Sequence, residues 1–199
     1  MKKKYFFIGI ISLIIFGFLI PQPIQALLVY TPLNSFFNNH LVILCIIVGI
    51  IQAISEECGY YSVMKKIYTK DHSDCLSKWF GLGRGVLHTI FDIASAMILI
   101  TSFGNGFLIV ISRLISLVAL VQLTYLDFIS LKEKNIRFLI VSIIFHFAMN
   151  SILYANELKL LNFSDSSFVL IYSCTVIAVS NVLIKKCNFK GVILWNMIV

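Results

Sequence analysis

The sequence predicts an all-α protein, a bundle of about six membrane-spanning helices that forms a single domain over residues 1–199. Of the 199 residues, 59% are hydrophobic and 13% are charged, whereas soluble domains carry about a quarter charged residues. The mean hydropathy is +0.95. A chain of this length accommodates roughly six spans of about 20 residues with short connections. The composition therefore indicates an integral membrane protein rather than a soluble one.

Apolar windows of about 19 residues predict the individual spans. The windows cover Tyr5–Ile20, Leu41–Tyr61, Phe80–Thr101, Phe107–Ile129, Phe138–Ala155 and Phe168–Ile184. Basic residues cluster at the start of the chain, between the second and third spans, and after the fourth and sixth spans, while the loop Thr101–Gly106 has no charge. Lys159, between the fifth and sixth spans, departs from this pattern. Because cytoplasmic loops carry the excess of Lys and Arg, we expect a multi-pass protein of the cell membrane with both termini in the cytoplasm.

Residues 1–40 combine the first helix with an outer segment. Lys2–Lys4 and the apolar run behind them resemble a secretory signal peptide. A cut after Ala26 would place Ile24 where signal peptides carry a small residue. We therefore expect that the first helix is not cleaved.

The rest of the chain is divided by composition. Leu27–His40, with Pro32 and several aromatic residues, is typical of a segment that lies at the outer interface rather than of a further span. Residues 41–156 form the core that carries the candidate site. Residues 157–199 hold the last helix and a cytoplasmic tail, whose final stretch GVILWNMIV is too short to cross a bilayer.

The charge and the cysteines argue against other classes of protein. The net charge is +7, but the lysines stand in short clusters beside apolar runs, which is the pattern of membrane orientation rather than of nucleic-acid binding. The cysteines have no paired spacing that would indicate a disulfide or metal framework; they are Cys45, Cys58, Cys75, Cys174 and Cys187. We expect membrane lipid as a partner, no nucleic acid, no cofactor and no metal.

Ionisable side chains inside the predicted spans are the candidate functional residues, because a charge in the bilayer is costly. They are Glu56 and Glu57 on the second span, Arg84, His88 and Asp92 on the third, Arg113 on the fourth, and His146, with the amide Asn150, on the fifth. The spacing of four residues places neighbours on one helix face. Depth along the helices then predicts an outer ion pair between Asp92 and Arg113. It also predicts an inner cluster of Glu57, Arg84, His88, His146 and Asn150.

The inner cluster has the chemistry of a hydrolytic site. Glu57 can act as a general base on water, and His146 with Asn150 can hold that water or a developing oxyanion. The same residues also have structural interpretations. Glu56 would be a solvated residue at the headgroup boundary, and His146 would form a hydrogen bond between helices. The outer ion pair would be a purely structural contact.

Four stretches between Ile50 and Asn156 carry these residues in the order EECGYY, FGLGRGVLH, SRLISLVALVQLT and IIFHFAMN. As a set, they resemble the motifs of the glutamic-type intramembrane endopeptidases of the CAAX-processing and bacteriocin-processing superfamily, most closely its YhfC-like branch. The resemblance extends over about half of the chain. Each motif alone is common, and the ordered set carries the resemblance.

The matches include several departures from the motifs of that branch. EECGYY is similar to E-E-x-x-R-Y, with Tyr60 at the Arg position. FGLGRGVLH resembles G-x-G-H-G-x-x-E, with Arg84 at the His position and His88 at the Glu position. The third stretch keeps Arg113 but lacks the Glu and His of its motif, and IIFHFAMN supplies the closing H-x-x-x-N.

The resemblance implies hydrolysis of a peptide bond in a membrane-associated peptide or protein. Glu57 would activate water, His146 and Asn150 would assist it, and His88 would stand in for the missing His. The departures imply an alternative, because a guanidinium at position 84 neither accepts nor releases a proton near neutral pH. In that alternative the chain is a pseudoenzyme that binds a peptide, or an immunity or regulatory protein beside a peptide exporter or other membrane subunit.

A carrier of small solutes or protons is a third interpretation, because buried Glu, His and Arg side chains also form relays. The sequence contains no internal repeat and no matching pair of broken helices, which carriers often have. The carrier is therefore the weakest of the three hypotheses.

Overall fold

The computed structural model describes residues 2–70, 75–98 and 103–186, and all regular secondary structure in those residues is helical. The elements are α1 (Lys2–Ser12), a π-helical segment (Leu13–Leu19), α2 (Pro21–Tyr30), α3 (Leu33–Asn39), α4 (Leu41–Tyr68), α5 (Cys75–Ile98), α6 (Phe103–Lys132), α7 (Arg137–Glu157) and α8 (Asp165–Lys186). The predicted all-α class is therefore confirmed for the described part of the chain.

Five stretches within the described residues are helical, long and apolar enough to cross a membrane. They are Lys2–Tyr30, Leu41–Tyr68, Phe107–Lys132, Arg137–Glu157 and Asp165–Lys185, and they overlap the first, second, fourth, fifth and sixth predicted spans. The third predicted span, Phe80–Thr101, overlaps α5, in which Arg84 and Asp92 lower the apolar character. Its end at Thr101 and the tail GVILWNMIV lie outside the described residues. The sixth crossing and the orientation stay predictions.

The first apolar stretch is longer than the predicted span Tyr5–Ile20. It continues through the π-helical segment into α2, where Pro21 occupies the first turn. Proline is tolerated there because the first helical amides have no partner within the helix. The segment predicted to lie at the interface contains the end of α2 and the short helix α3, which has seven residues and is too short to cross a bilayer.

The helices pack as a bundle in which α4 contacts α7, α5 lies between α1 and α6, and α6 also contacts α8. Aromatic and aliphatic side chains fill the interior, among them Tyr60, Phe80 and Phe128. Large apolar side chains also cover the outer surface, including Phe107 and Ile171, each 68% exposed. A soluble monomer rarely exposes apolar surface on this scale, so the outer surface matches a lipid environment.

Close helix crossings at two glycines set the position of the polar residues inside the bundle. A methyl group at Gly83 would collide with the backbone carbonyl of Phe6, so α1 approaches the backbone of α5 next to Arg84. At Gly49 a methyl group would collide with Ser151, which brings α4 against α7. Small residues allow such approaches between membrane helices. In the interior of the same bundle, Glu57 of α4, Arg84 of α5 and His146 of α7 lie in contact with one another.

Candidate functional site

The centre of the bundle holds an ion pair between Arg84 and Glu57. Arg84 Nη2 lies 2.5 Å from Glu57 Oε1, and Nη1 donates to Oε2 at 3.3 Å. Both side chains are 0% exposed. The guanidinium carbon of Arg84 lies 4.0 Å from the centre of the Tyr60 ring, which adds a cation–π contact. A bidentate ion pair of this kind fixes both side chains in one geometry.

His146 and Ser142, both on α7, complete the surroundings of Glu57. His146 Nδ1 lies 2.5 Å from Glu57 Oε1 and 3.2 Å from Arg84 Nη2. The Ser142 hydroxyl donates to Glu57 Oε2 at 3.0 Å. Each carboxylate oxygen of Glu57 therefore has two protein partners. The predicted grouping of Glu57, Arg84 and His146 is present.

Glu56 belongs to this buried cluster, and the predicted place at the headgroup boundary is wrong. The residue is 1% exposed. Its carboxylate accepts hydrogen bonds from Tyr60 at 2.8 Å and from Gln52 at 2.5 Å, and it lies 3.7 Å from Arg84 Nη2. The reason for the error is the length of α4, which continues to Tyr68. Glu56 consequently lies about three turns inside the end of the helix.

Asp127 on α6 is a member of the cluster that the sequence analysis missed. Its carboxyl group is fully buried and faces Glu57 and Ser142. One turn away on the same helix, Thr124 accepts a hydrogen bond from Arg84 Nη1 at 3.3 Å. Adjacent carboxyl groups repel each other unless they share a proton. The signal was available, since an ionisable residue inside a predicted span is a candidate by default.

His88 does not join the buried cluster, which corrects the prediction. Its Nδ1 lies 3.2 Å from Asp92 Oδ2, and the same oxygen lies 3.3 Å from Arg113 Nη1. The predicted ion pair between Asp92 and Arg113 is therefore present, with His88 as a third member. The reason is depth, because four residues of helix raise His88 about 6 Å above the level of Arg84.

A polar cavity of about 270 Å³ lies beside the buried cluster. Its inner wall includes Gln25, Gln52, His88, Asp92, Arg113 and Asn150, and its rim includes Glu157 and Asp165. Asn150 was also predicted in the inner cluster and lies in this cavity instead. Gln52 separates the two regions, because it lines the cavity and donates to Glu56.

Asn150 has an unfilled hydrogen-bonding position, because its Nδ2 is shielded from solvent and has no partner.

The described residues contain no group of three or more His, Cys, Asp or Glu side chains arranged to hold a metal ion. Comparisons with protein families, with curated proteins and with solved structures found no match to this chain. The chemistry of the two polar regions therefore carries the functional argument.

Proposed function

We propose that this chain is a six-span membrane protein that binds a peptide segment in its polar cavity without cleaving it. In this proposal it is a degenerate relative of the glutamic-type intramembrane endopeptidases, with both termini in the cytoplasm. The observation that carries the proposal is the complete enclosure of Glu57, whose carboxylate is 0% exposed and is held by Arg84, His146 and Ser142.

The enclosure of Glu57 argues against hydrolysis. A general base must lie within hydrogen-bonding reach of the water that it activates, whereas the Glu57 side chain is 0% exposed and each of its carboxylate oxygens is already held by two protein groups. Arg84 stays charged at every physiological pH. Removing one partner of a buried ion pair typically costs about 3–5 kcal/mol. The pair therefore serves to hold α4 against α5 rather than to exchange protons.

The cavity has the properties of a binding site. Ligand sites combine apolar walls with a few placed polar groups, and here Val48, Met149 and Leu153 line the cavity together with amide side chains. Amides donate and accept hydrogen bonds, as a peptide backbone does. The volume of about 270 Å³ is just below the range of about 300–1,000 Å³ for ligand pockets, so it suits one or two residues of a peptide.

The distribution of charge supports the proposed orientation. Lys4 at the start of α1 and Lys66 and Lys70 at the end of α4 line a common pocket, which places the basic ends of these helices together. The cavity is lined instead by the end of α7 and the start of α8. With the basic end in the cytoplasm, the cavity opens toward the outer face, and α5 crosses the membrane as the third of six spans.

The test uses the purified protein in phosphatidylcholine liposomes with a fluorescent apolar peptide that carries a photo-crosslinker. We expect cross-linking to the wild-type protein without cleavage products. Asn150→Trp, which places an indole ring in the cavity, should remove cross-linking, and Thr175→Trp, at an exposed position on α8 outside the cavity lining, is a control for the fold. Cleavage by the wild-type protein that is lost in Glu57→Gln would overturn the proposal.

An active endopeptidase is the second candidate function. It is favoured by the contact of 2.5 Å between Glu57 and His146, because a carboxylate beside an imidazole is a common general-base arrangement. It requires that Arg84 leaves Glu57 when substrate binds. The liposome experiment separates the two candidates, since the peptidase predicts products that disappear with both Glu57→Gln and His146→Ala.

A further inference from the structure

The rim of the cavity carries two carboxylates without a cationic partner. Glu157 ends α7 and Asp165 begins α8, and both side chains are exposed. Asp165 accepts a hydrogen bond from Asn156 Nδ2 at 2.6 Å. Within residues 2–70, 75–98 and 103–186, neither Glu157 nor Asp165 forms an ion pair. The rim is therefore a site of uncompensated negative charge.

The charges deeper in the cavity are compensated. Asp92 is held by Arg113 and His88 at 3.3 and 3.2 Å, so this trio offers little net charge to a ligand. The amide of Gln25 donates to Gln52 at 3.0 Å. By contrast, Asn150 Nδ2 and Arg113 Nε are shielded donors without an acceptor. The inner wall thus carries donors that lack an acceptor, and the rim carries carboxylates that lack a cation.

We propose that the cavity selects a basic residue of the bound peptide, with its ammonium or guanidinium group at Glu157 and Asp165 and a backbone carbonyl accepting from Asn150. This inference rests on the proposed peptide binding and names the class of peptide. A peptide residue with a cationic side chain supplies both missing groups. Its backbone carbonyl is the hydrogen-bond acceptor, and its side chain places a cation at the end of a flexible stem. An acidic residue would meet the rim carboxylates and be repelled.

The experiment uses two acetylated, amidated apolar peptides that differ in one central residue, lysine or norleucine. Their binding to the full-length protein in phosphatidylcholine nanodiscs is measured by fluorescence anisotropy. We expect the lysine peptide to bind about tenfold more tightly, from two exposed charge pairs. Glu157→Gln should lower the affinity for the lysine peptide about fivefold and leave the norleucine peptide unchanged. Glu133→Gln, an exposed carboxylate in the turn between α6 and α7, is the matched control and should change neither.

Each outcome bears on a different part of the account. Equal binding of both peptides would overturn the selection of a basic residue and leave peptide binding intact. If neither peptide binds, the proposed function itself is wrong. Loss of the lysine preference in nanodiscs that contain phosphatidylethanolamine would assign the rim to a lipid ammonium group and overturn the inference. Full competition by N-acetyl-lysine amide, at the affinity of the peptide, would also overturn it in favour of a small cation.

Discussion

Two carboxylate–imidazole pairs in this bundle differ in their surroundings. Glu57 and His146 are 2.5 Å apart with side chains 0% and 3% exposed, whereas Asp92 and His88 are 3.2 Å apart with side chains 25% and 21% exposed. The first pair is enclosed by Arg84 and Ser142, and the second faces a cavity. In our proposal the same chemical groups therefore have different roles: the buried pair with its full set of partners stabilises the fold, and the accessible pair belongs to the wall of a binding cavity.

Replacing Arg84 by methionine should have the largest effect, because it leaves Glu57 and Glu56 buried without their cation. We expect a loss of about 3–5 kcal/mol in the free energy of unfolding. Thermal unfolding of the detergent-solubilised protein measures this loss. Arg113→Met is the comparison, since its pair with Asp92 is partly exposed and should contribute about 1 kcal/mol or less. Equal losses would contradict the distinction between the two regions.

Gly83→Ala tests the crossing that positions Arg84. The added methyl group meets the backbone carbonyl of Phe6, and a backbone atom cannot move aside without shifting α1. Overpacking of this kind costs about 1–3 kcal/mol. Gly85→Ala is a matched control on the same helix, because its methyl group would lie 3.4 Å from Leu117, an ordinary contact. Unfolding midpoints that fall equally for both variants would show that the α1–α5 crossing is not tight.

Tyr60→Phe tests whether Glu56 is a fixed member of the buried cluster. The change removes the hydroxyl that donates to Glu56 at 2.8 Å and keeps the ring against Arg84. A buried acceptor that loses one donor costs about 1–2 kcal/mol. The measurement is chemical unfolding in detergent. A variant as stable as the wild type would indicate that water replaces the hydroxyl, which returns Glu56 to a hydrated position.

Asp92→Asn should have the smallest effect. The side chain keeps its shape and its contact distance to His88 but loses its charge, and its pair with Arg113 is partly exposed. We expect a change of about 1 kcal/mol or less in the free energy of unfolding. A loss as large as that of Arg84→Met would show that the cavity wall is also a structural centre.

Much of the fold followed from apolar runs, since the described helices overlap the predicted spans. Depth counting along those helices correctly paired Asp92 with Arg113 and brought Arg84 to Glu57. The same counting failed for His88, which lies one helical turn above Arg84 and contacts Asp92 instead of the buried cluster. Apolar windows also understated the length of α4, which misplaced Glu56.

The cavity is the part that sequence patterns alone do not reveal. Its wall combines residues from six helices, and their meeting depends on crossings such as the one at Gly49 rather than on any local motif. Asp127, by contrast, could have been predicted from the sequence. It is a carboxylate inside the predicted span Phe107–Ile129, and an ionisable residue in a span is a functional candidate by default. Side-chain packing between distant helices decides which of these polar groups meet.

The most direct test of the central distinction is the reactivity of single cysteines on α7. After replacement of the five native cysteines, Ser142→Cys lies beside Glu57 and Asn150→Cys lies in the cavity. A charged, membrane-impermeant thiol reagent is added outside intact cells, and labelling rates are compared. The account predicts rapid labelling at position 150 and none at position 142. Comparable labelling at both positions would show that water reaches Glu57 and would contradict the account.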